Sequence, residues 1–306
     1  MWNVCLLVIG FVALIKGADW FVEGAAKLAG RFGIPQLVIG LTIVAMGTSL
    51  PEAAVSIQGA WKGTAGIAVG NVLGSNIFNV LVILGVTALI AALPLQRSTM
   101  LVEIPYMLFV TIALLVLGVS GACISRVDGA VLWVLFLIYL GYLWWMVRKN
   151  KEEQPDTQEQ TSVLKCVILL VVGIVLIVAG SHFTVDGACG LAQMAGISER
   201  VIGLTIVACG TSLPELVTSL VAAKKKHADI AIGNIVGSNI FNILFVIGTA
   251  ALITPISFEQ VFIPDAWIAF AAGILLLVGV IRRQRLSKVC GAVMLACYIG
   301  YLVYLI

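Results

Sequence analysis

Gly47-Thr48-Ser49-Leu50-Pro51-Glu52 and Gly74-Ser75-Asn76-Ile77-Phe78-Asn79 recur, residue type for residue type, as Gly210-Thr211-Ser212-Leu213-Pro214-Glu215 and Gly237-Ser238-Asn239-Ile240-Phe241-Asn242. Both pairs belong to a longer repeat. Val38 to Gly85 matches Val201 to Gly248 without a gap at an offset of about 163 residues, with roughly 30 of 48 positions identical. The chain is built from two halves, and each half sets a glutamate, hydroxyls and amides inside an otherwise apolar run. Val22-Glu23-Gly24-Ala25 against Val185-Asp186-Gly187-Ala188 extends the correspondence upstream. The first apolar segment, which has no basic residues before it, therefore reads as a retained repeat element rather than a signal peptide.

The surrounding composition specifies the solvent. Of 306 residues, 61% are hydrophobic and 11% charged, and the mean hydropathy is +1.13, which implies a polytopic, all-α membrane protein. Apolar runs long enough to cross a bilayer predict ten spans, at about 3–28, 34–60, 67–90, 99–119, 124–147, 163–193, 198–223, 228–253, 261–281 and 287–305. One connection is long and polar: Arg148 to Ser162, with Lys149, Lys151, Glu152, Glu153, Pro155, Asp156 and Glu159, reads as a solvated linker. The expected organisation is a first five-span repeat at 1–147, a linker at 148–162 and a second five-span repeat at 163–306. The seven cysteines have no CxxC spacing and lie mostly in apolar runs, so no disulfide or metal cluster is expected.

Loop charge predicts orientation. With ten spans, Lys27, Arg31, Arg97, Arg148, Lys149, Lys151, Lys165, Lys224, Lys225, Lys226, Arg282, Arg283, Arg285 and Lys288 fall on one side, against Lys62, Arg126 and Arg200 on the other. The positive-inside rule makes the first side cytoplasmic, with the linker there and both termini extracytoplasmic. Five spans per half is odd, so the halves enter the membrane in opposite orientations, an arrangement recurrent in secondary transporters that hold substrate near the midplane. Trp144 and Trp145 before Arg148 read as an interfacial belt.

Pro51 and Pro214 lie deep within their spans, where each removes a backbone donor and disfavours helix at Leu50 and Leu213. A broken helix is expected at each, with Ala45 and Ala208 offering carbonyls to a cation. Glu52 and Glu215 follow these breaks, and an intramembrane carboxylate costs several kcal/mol unless paired or neutralised. The nearest basic residues, Lys62 and Lys224 to Lys226, are roughly 15 Å away along a helix, so a bound cation or a proton is the natural partner. Thr48, Ser49, Thr211, Ser212, Ser75 and Ser238 offer hydroxyls, and Asn79 and Asn242 offer amide oxygens, in an all-oxygen set suited to Na⁺ and Ca²⁺. Ser75 and Asn79, like Ser238 and Asn242, are four apart and share a helix face. The Gly70/Gly74 and Gly233/Gly237 pairs would let these helices approach closely.

These motifs resemble the sodium/calcium exchanger family of the calcium/cation antiporter superfamily, in prokaryotic form. The resemblance implies ten helices, Glu52 and Glu215 as central ligands, and Thr48, Ser49, Ser75, Asn79, Thr211, Ser212, Ser238 and Asn242 around them. It implies alternating access by rocking of the long first and sixth helices. It also implies three Na⁺ exchanged for one Ca²⁺, moving one net charge per cycle. Potassium-dependent relatives are acidic where this chain has Asn242, so the resemblance implies potassium independence. Proton/calcium exchangers of the superfamily usually carry Asn in place of the Thr-Ser hydroxyls around the glutamate, which Thr48-Ser49 and Thr211-Ser212 lack.

Plainer roles compete for several of these residues. A lone intramembrane glutamate can be a protonated packing group, but duplication favours function here. Hydroxyls often serve only as interhelical hydrogen bonds, and Asn76 and Asn239, turned from the Asn79 and Asn242 face, suit packing at least as well. Lys16, Asp19, Glu23 and Lys27 read as a self-neutralising ladder on one helix face, with His182 and Asp186 matching Asp19 and Glu23. The combined expectation is a Na⁺/Ca²⁺ antiporter extruding Ca²⁺ electrogenically, with proton-coupled Ca²⁺ exchange as the alternative. Its partners are Na⁺, Ca²⁺ and the bilayer, with no cofactor, nucleic acid or obligate protein partner expected. Two histidines, no HExxH, no Walker motif and no nucleophile beside a base argue against an enzyme.

Overall fold

A computed structural model describes residues 2–63, 66–149, 162–196 and 208–305. Most of the predicted linker (residues 150–161) and the start of the seventh predicted span (198–207) lie outside the described residues. The helices are α1 (Trp2–Phe32), α2 (Gln36–Thr48), α3 (Leu50–Trp61), α4 (Gly66–Ile90), α5 (Thr99–Gly121), α6 (Arg126–Lys149), α7 (Val163–Met194), a short α8 (Ala208–Gly210), α9 (Leu213–Lys224), α10 (Ala228–Ile253), α11 (Phe262–Ile281) and α12 (Lys288–Leu305). Among the described residues eight are long and apolar enough to cross a membrane, nine when α2 and α3 count as one bent span. The protein is a helical, multi-pass membrane protein.

Local chemistry explains the joints. α1 stops where Gly33 takes φ 61° and Ile34 N–H closes onto the Ala29 carbonyl at 2.9 Å, a glycine C-cap, and Pro35 then opens the next helix. The break between α2 and α3 bends the span by 51°, but it falls one residue earlier than expected. Ser49 carries the non-helical backbone (φ −83°, ψ 10°), and Ser212 repeats it (φ −90°, ψ 5°). Leu50 and Leu213 start the second helical pieces, so Pro51 and Pro214 stand in a first turn, where a missing N–H costs nothing.

The outer pair α1 and α7 runs antiparallel along a glycine seam spaced every seven residues. Gly10 faces Gly180 and Thr184, Gly17 faces Gly173 and Ile177, Gly24 faces Cys166, and Gly187 faces Asn3 and Leu7. A methyl on Gly17 would lie 2.8 Å from the Gly173 carbonyl, and one on Gly180 would lie 2.6 Å from Leu14 N, so only glycine permits this approach. The inner element is α10, whose residues from Ile230 to Asn242 are all buried. Gly233 and Gly237 bring it against Leu37 and Leu41 of α2, where a methyl on either glycine would lie 2.9 or 2.7 Å from the carbonyl it faces. For Gly70 and Gly74 the corresponding partner segment, residues 200–204, lies outside the described residues.

The remaining helices clasp this centre twice in the same way. Gly129 of α6 meets the Gly248 carbonyl of α10, and Gly291 of α12 meets the Gly85 carbonyl of α4. The all-α expectation is modified by two very short antiparallel pairings: β1 (Leu93–Pro94) with β4 (Arg285–Leu286), and β2 (Cys123–Ile124) with β3 (Ile256–Ser257). Each joins one half of the chain to the other. Large apolar side chains left exposed on α1, α6 and α7, such as Val8, Leu137 and Val175, face outward as lipid-facing residues do.

Candidate cation site

The two glutamates arrive at the centre from α3 and α9, in the first turn after each break, and both are 0% exposed. Each is held by a hydroxyl from the other half. Ser49 Oγ donates to Glu215 Oε1 at 2.8 Å, and Ser212 Oγ donates to Glu52 Oε1 at 3.2 Å. The two carboxylates lie close enough to repel one another, with Thr211 beside Glu52 and Thr48 beside Glu215. Among the described residues none of the ion pairs involves either glutamate.

The four central asparagines form a second reciprocal set. Asn76 Nδ2 and Asn239 Nδ2 each donate to the other's backbone carbonyl at 3.1 Å. Asn79 Nδ2 donates to Asn239 Oδ1 at 3.0 Å, and Asn242 Nδ2 donates to Asn76 Oδ1 at 3.2 Å. Asn76 and Asn239 thus have the packing role, and they dictate which way Asn79 and Asn242 face. With their amide nitrogens engaged, Asn79 Oδ1 and Asn242 Oδ1 are buried and have no hydrogen-bond partner. The same holds for Glu52 Oε2, Glu215 Oε2 and Thr211 Oγ1.

A widened backbone underlies this placement. π-helical turns begin at Asn79 and at Asn242 (Asn79–Leu84 and Asn242–Ile247), and another, Gly40–Val44, precedes the break in α2. Such turns release the regular i−4 ladder and are frequent at functional sites. Propensity and hydropathy carry no signal for them.

The other predicted residues divide by hydrogen bonding. Thr48 Oγ1 donates to Asn234 Oδ1 at 2.9 Å, so its proton is directed away from the glutamates. Ser238 Oγ contacts the Ala45 carbonyl at 3.3 Å, and that carbonyl also accepts Ser49 N–H at 3.1 Å. The expected freeing of Ala45 does not occur, because α2 stays helical through Thr48. Ser75 is buried on α4 at the position matching Ser238. Ala208 opens α8, and residues 201–207 before it lie outside the described residues.

Two asparagines escaped the sequence reading. Asn71 Nδ2 donates to the Glu52 carbonyl (3.3 Å) and Ser56 Oγ (3.1 Å), and Asn234 Nδ2 donates to the Glu215 carbonyl (3.3 Å) and Ser219 Oγ (2.9 Å). They tie each glutamate's backbone to the neighbouring helix. The signal was present, since Asn71 and Ser56 recur at the repeat offset as Asn234 and Ser219.

Charged residues at the edge also differ from expectation. Lys27 pairs with Glu23 as the ladder predicts, but Asp19 pairs with Lys225, the residue that caps α9, at 2.6 Å. His182 and Asp186 approach at 3.4 Å on the exposed face of α7. Arg148 and Lys149 lie over the rings of Trp144 and Trp145, at 5.0 and 4.7 Å from the centroids, in keeping with an interfacial belt.

Comparison with known proteins adds an independent line. The sequence model of the family described as sodium/calcium exchanger protein matches residues 2–145 and 165–306. The inner membrane protein YrbG of Escherichia coli K12 is 41% identical over 82% of this chain and 79% of its own length. The sodium/calcium exchanger MaX1 of Methanosarcina acetivorans is 30% identical over 99% of this chain and 98% of its own. A solved structure of the sodium-calcium exchanger NCX_Mj, soaked with Na⁺ and Sr²⁺, superimposes with a TM-score of 0.86 at 33% identity, covering 99% of this chain and 98% of that one. With the duplicated motifs, the helical membrane architecture and matches spanning nearly the whole sequence, this chain belongs to the sodium/calcium exchanger family of antiporters.

Proposed function

We propose that the protein extrudes Ca²⁺ in exchange for Na⁺ entering down its gradient, both ions using one cage between Glu52 and Glu215. The observation that carries this reading is a set of buried, unpartnered oxygens contributed by both halves: Glu52 Oε2, Glu215 Oε2, Asn79 Oδ1 and Asn242 Oδ1. Burying such groups without partners is costly, and two carboxylates with amide oxygens are what a hard divalent cation takes as ligands. Ser49, Thr48, Ser75, Thr211, Ser212 and Ser238 complete the cage, with the Ala208 carbonyl as a further ligand.

Two carboxylates neutralise one Ca²⁺. Three Na⁺ leave one charge to be met by neutral oxygens, so each cycle moves one net positive charge, worth about 2.3 kcal/mol per 100 mV. Asn242 cannot ionise, and we read the protein as potassium-independent. The antiparallel α1 and α7, equivalent by the repeat offset, support two inverted five-helix repeats, 1–147 and 163–306, joined by a cytoplasmic linker at 148–162 in a ten-helix protein. The loop charges support extracytoplasmic termini.

The test is Ca²⁺ flux in proteoliposomes under separately imposed Na⁺, K⁺ and H⁺ gradients. Flux driven by Na⁺ alone, and accelerated by a membrane potential of the right sign, is the expected result. Flux driven by the pH gradient alone would overturn the proposal.

A further inference from the structure

Glu103 is a third buried intramembrane carboxylate, 0% exposed on the first turn of α5 and taking no part in the cage. That turn, Thr99–Glu103, is π-helical and sets Thr99 one turn below the carboxyl group. Glu103 Oε1 accepts the phenol hydroxyl of Tyr142 from α6. Its Oε2 has no partner, and neither have the buried hydroxyls of Thr99 and Tyr139. The Ser98 and Thr99 hydroxyls border the carboxylate. The ionisable groups acting on the cluster are the phenols of Tyr106, Tyr139 and Tyr142. Tyr106 stacks on Tyr139 at 5.5 Å and donates to the Leu135 carbonyl, which closes the cluster over. Among the described residues no lysine, arginine or histidine forms an ion pair with Glu103.

A bare charge in this setting costs several kcal/mol. A metal ion would need more oxygens than Oε2, Thr99 and Tyr139 supply. A proton on Oε2 removes the charge. We infer that Glu103 is a proton-binding site separate from the exchange cage, its acid proton on the unpartnered Oε2 while Tyr142 donates to Oε1. The second half pairs its equivalent acid with a different tyrosine. Asp265 and Tyr301 follow Glu103 and Tyr139 by about 162 residues, and the Tyr301 hydroxyl donates to Asp265 Oδ1 at 3.0 Å. Asp265 is only half-buried, so Glu103 is the sealed member of the pair.

Infrared spectra of the full chain in lipid vesicles test the assignment. Wild type at neutral pH should show a protonated carboxyl C=O band that is lost in Glu103→Gln, displaced in Tyr142→Phe and kept in Glu52→Gln. An unchanged spectrum in Glu103→Gln means an ionised Glu103 and overturns the inference. A band displaced by Na⁺ or K⁺ at fixed pH overturns it in favour of a metal. Loss of the band in Glu52→Gln would place the proton in the cage.

Discussion

The α4–α10 centre and the α1–α7 pair are both made of repeat-equivalent helices, yet they are joined in opposite ways. In α10, 94% of the most apolar stretch is buried, and α4 and α10 are tied to one another by directional amide bonds among Asn76, Asn79, Asn239 and Asn242. In α7 only 22% is buried, and it meets α1 along bare glycine backbone. A polar network has one good arrangement, because moving it strands donors in a dry interior. A glycine seam holds two helices tightly together without hydrogen-bond register. The centre is therefore built to hold geometry, and the outer pair is built to hold together as one body.

The sharpest break in that contrast is at the glutamates. Glu52→Gln or Glu215→Gln should each reduce Na⁺-driven Ca²⁺ flux by about 100-fold or more, since losing half the cage charge costs about 3 kcal/mol or more. Near-normal flux in either variant would remove the cage from the mechanism. Asn76→Ala with Asn239→Ala should preserve the helices but weaken Ca²⁺ binding about tenfold, because an undirected amide at Asn79 and Asn242 forfeits about 1–3 kcal/mol. Isothermal titration of Ca²⁺ would measure it. If the two variants bound Ca²⁺ as wild type does, the network would be packing alone.

On the outer pair, Gly17→Ala should lower stability by about 1–3 kcal/mol by pushing against the Gly173 carbonyl, while Gly141→Ala on the exposed face of α6 should not. Thermal unfolding in detergent compares them, and equal behaviour would mean the seam is loose. The smallest effect is expected from Lys225→Gln. Its half-exposed pair with Asp19 contributes under about 1 kcal/mol. It is nonetheless a charged tie between the outer pair and α9, so the flux rate should change less than about fivefold and respond to salt.

Much of this contrast was legible in residues 38–85 and 201–248. Glu52, Glu215, Ser49, Ser212, Asn79 and Asn242 declared themselves because polar groups in apolar runs are conspicuous, more so when duplicated. The bend was legible too, through Pro51, although proline marks the start of the second helical piece rather than the hinge itself, which is Ser49. What escaped was geometry without a compositional trace. The π turns at Asn79 and Asn242 depend on tertiary packing, and the division of labour between Asn76 and Asn79 depends on which amide faces which carbonyl. The glycines at 10, 17, 24, 173, 180 and 187 were visible, but their meaning required knowing that α1 and α7 are neighbours. The Asp19–Lys225 pair escaped for the same reason, since i,i+4 spacing explains only contacts within a helix.

The small pairings β1–β4 and β2–β3 bear on how the molecule is made. α5 begins just after β1 and ends just before β2, and at about 1.5 Å per residue it separates the two pairings by roughly 35 Å. Each pairing waits for a strand from the second half. During synthesis the first half sits in the membrane with Leu93–Pro94 and Cys123–Ile124 unpaired. Its glutamate meanwhile lacks the Ser212 hydroxyl that will hold it. Maturation is thus a closing reaction between two inserted halves, completed at both ends only after Arg285–Leu286 has been translated.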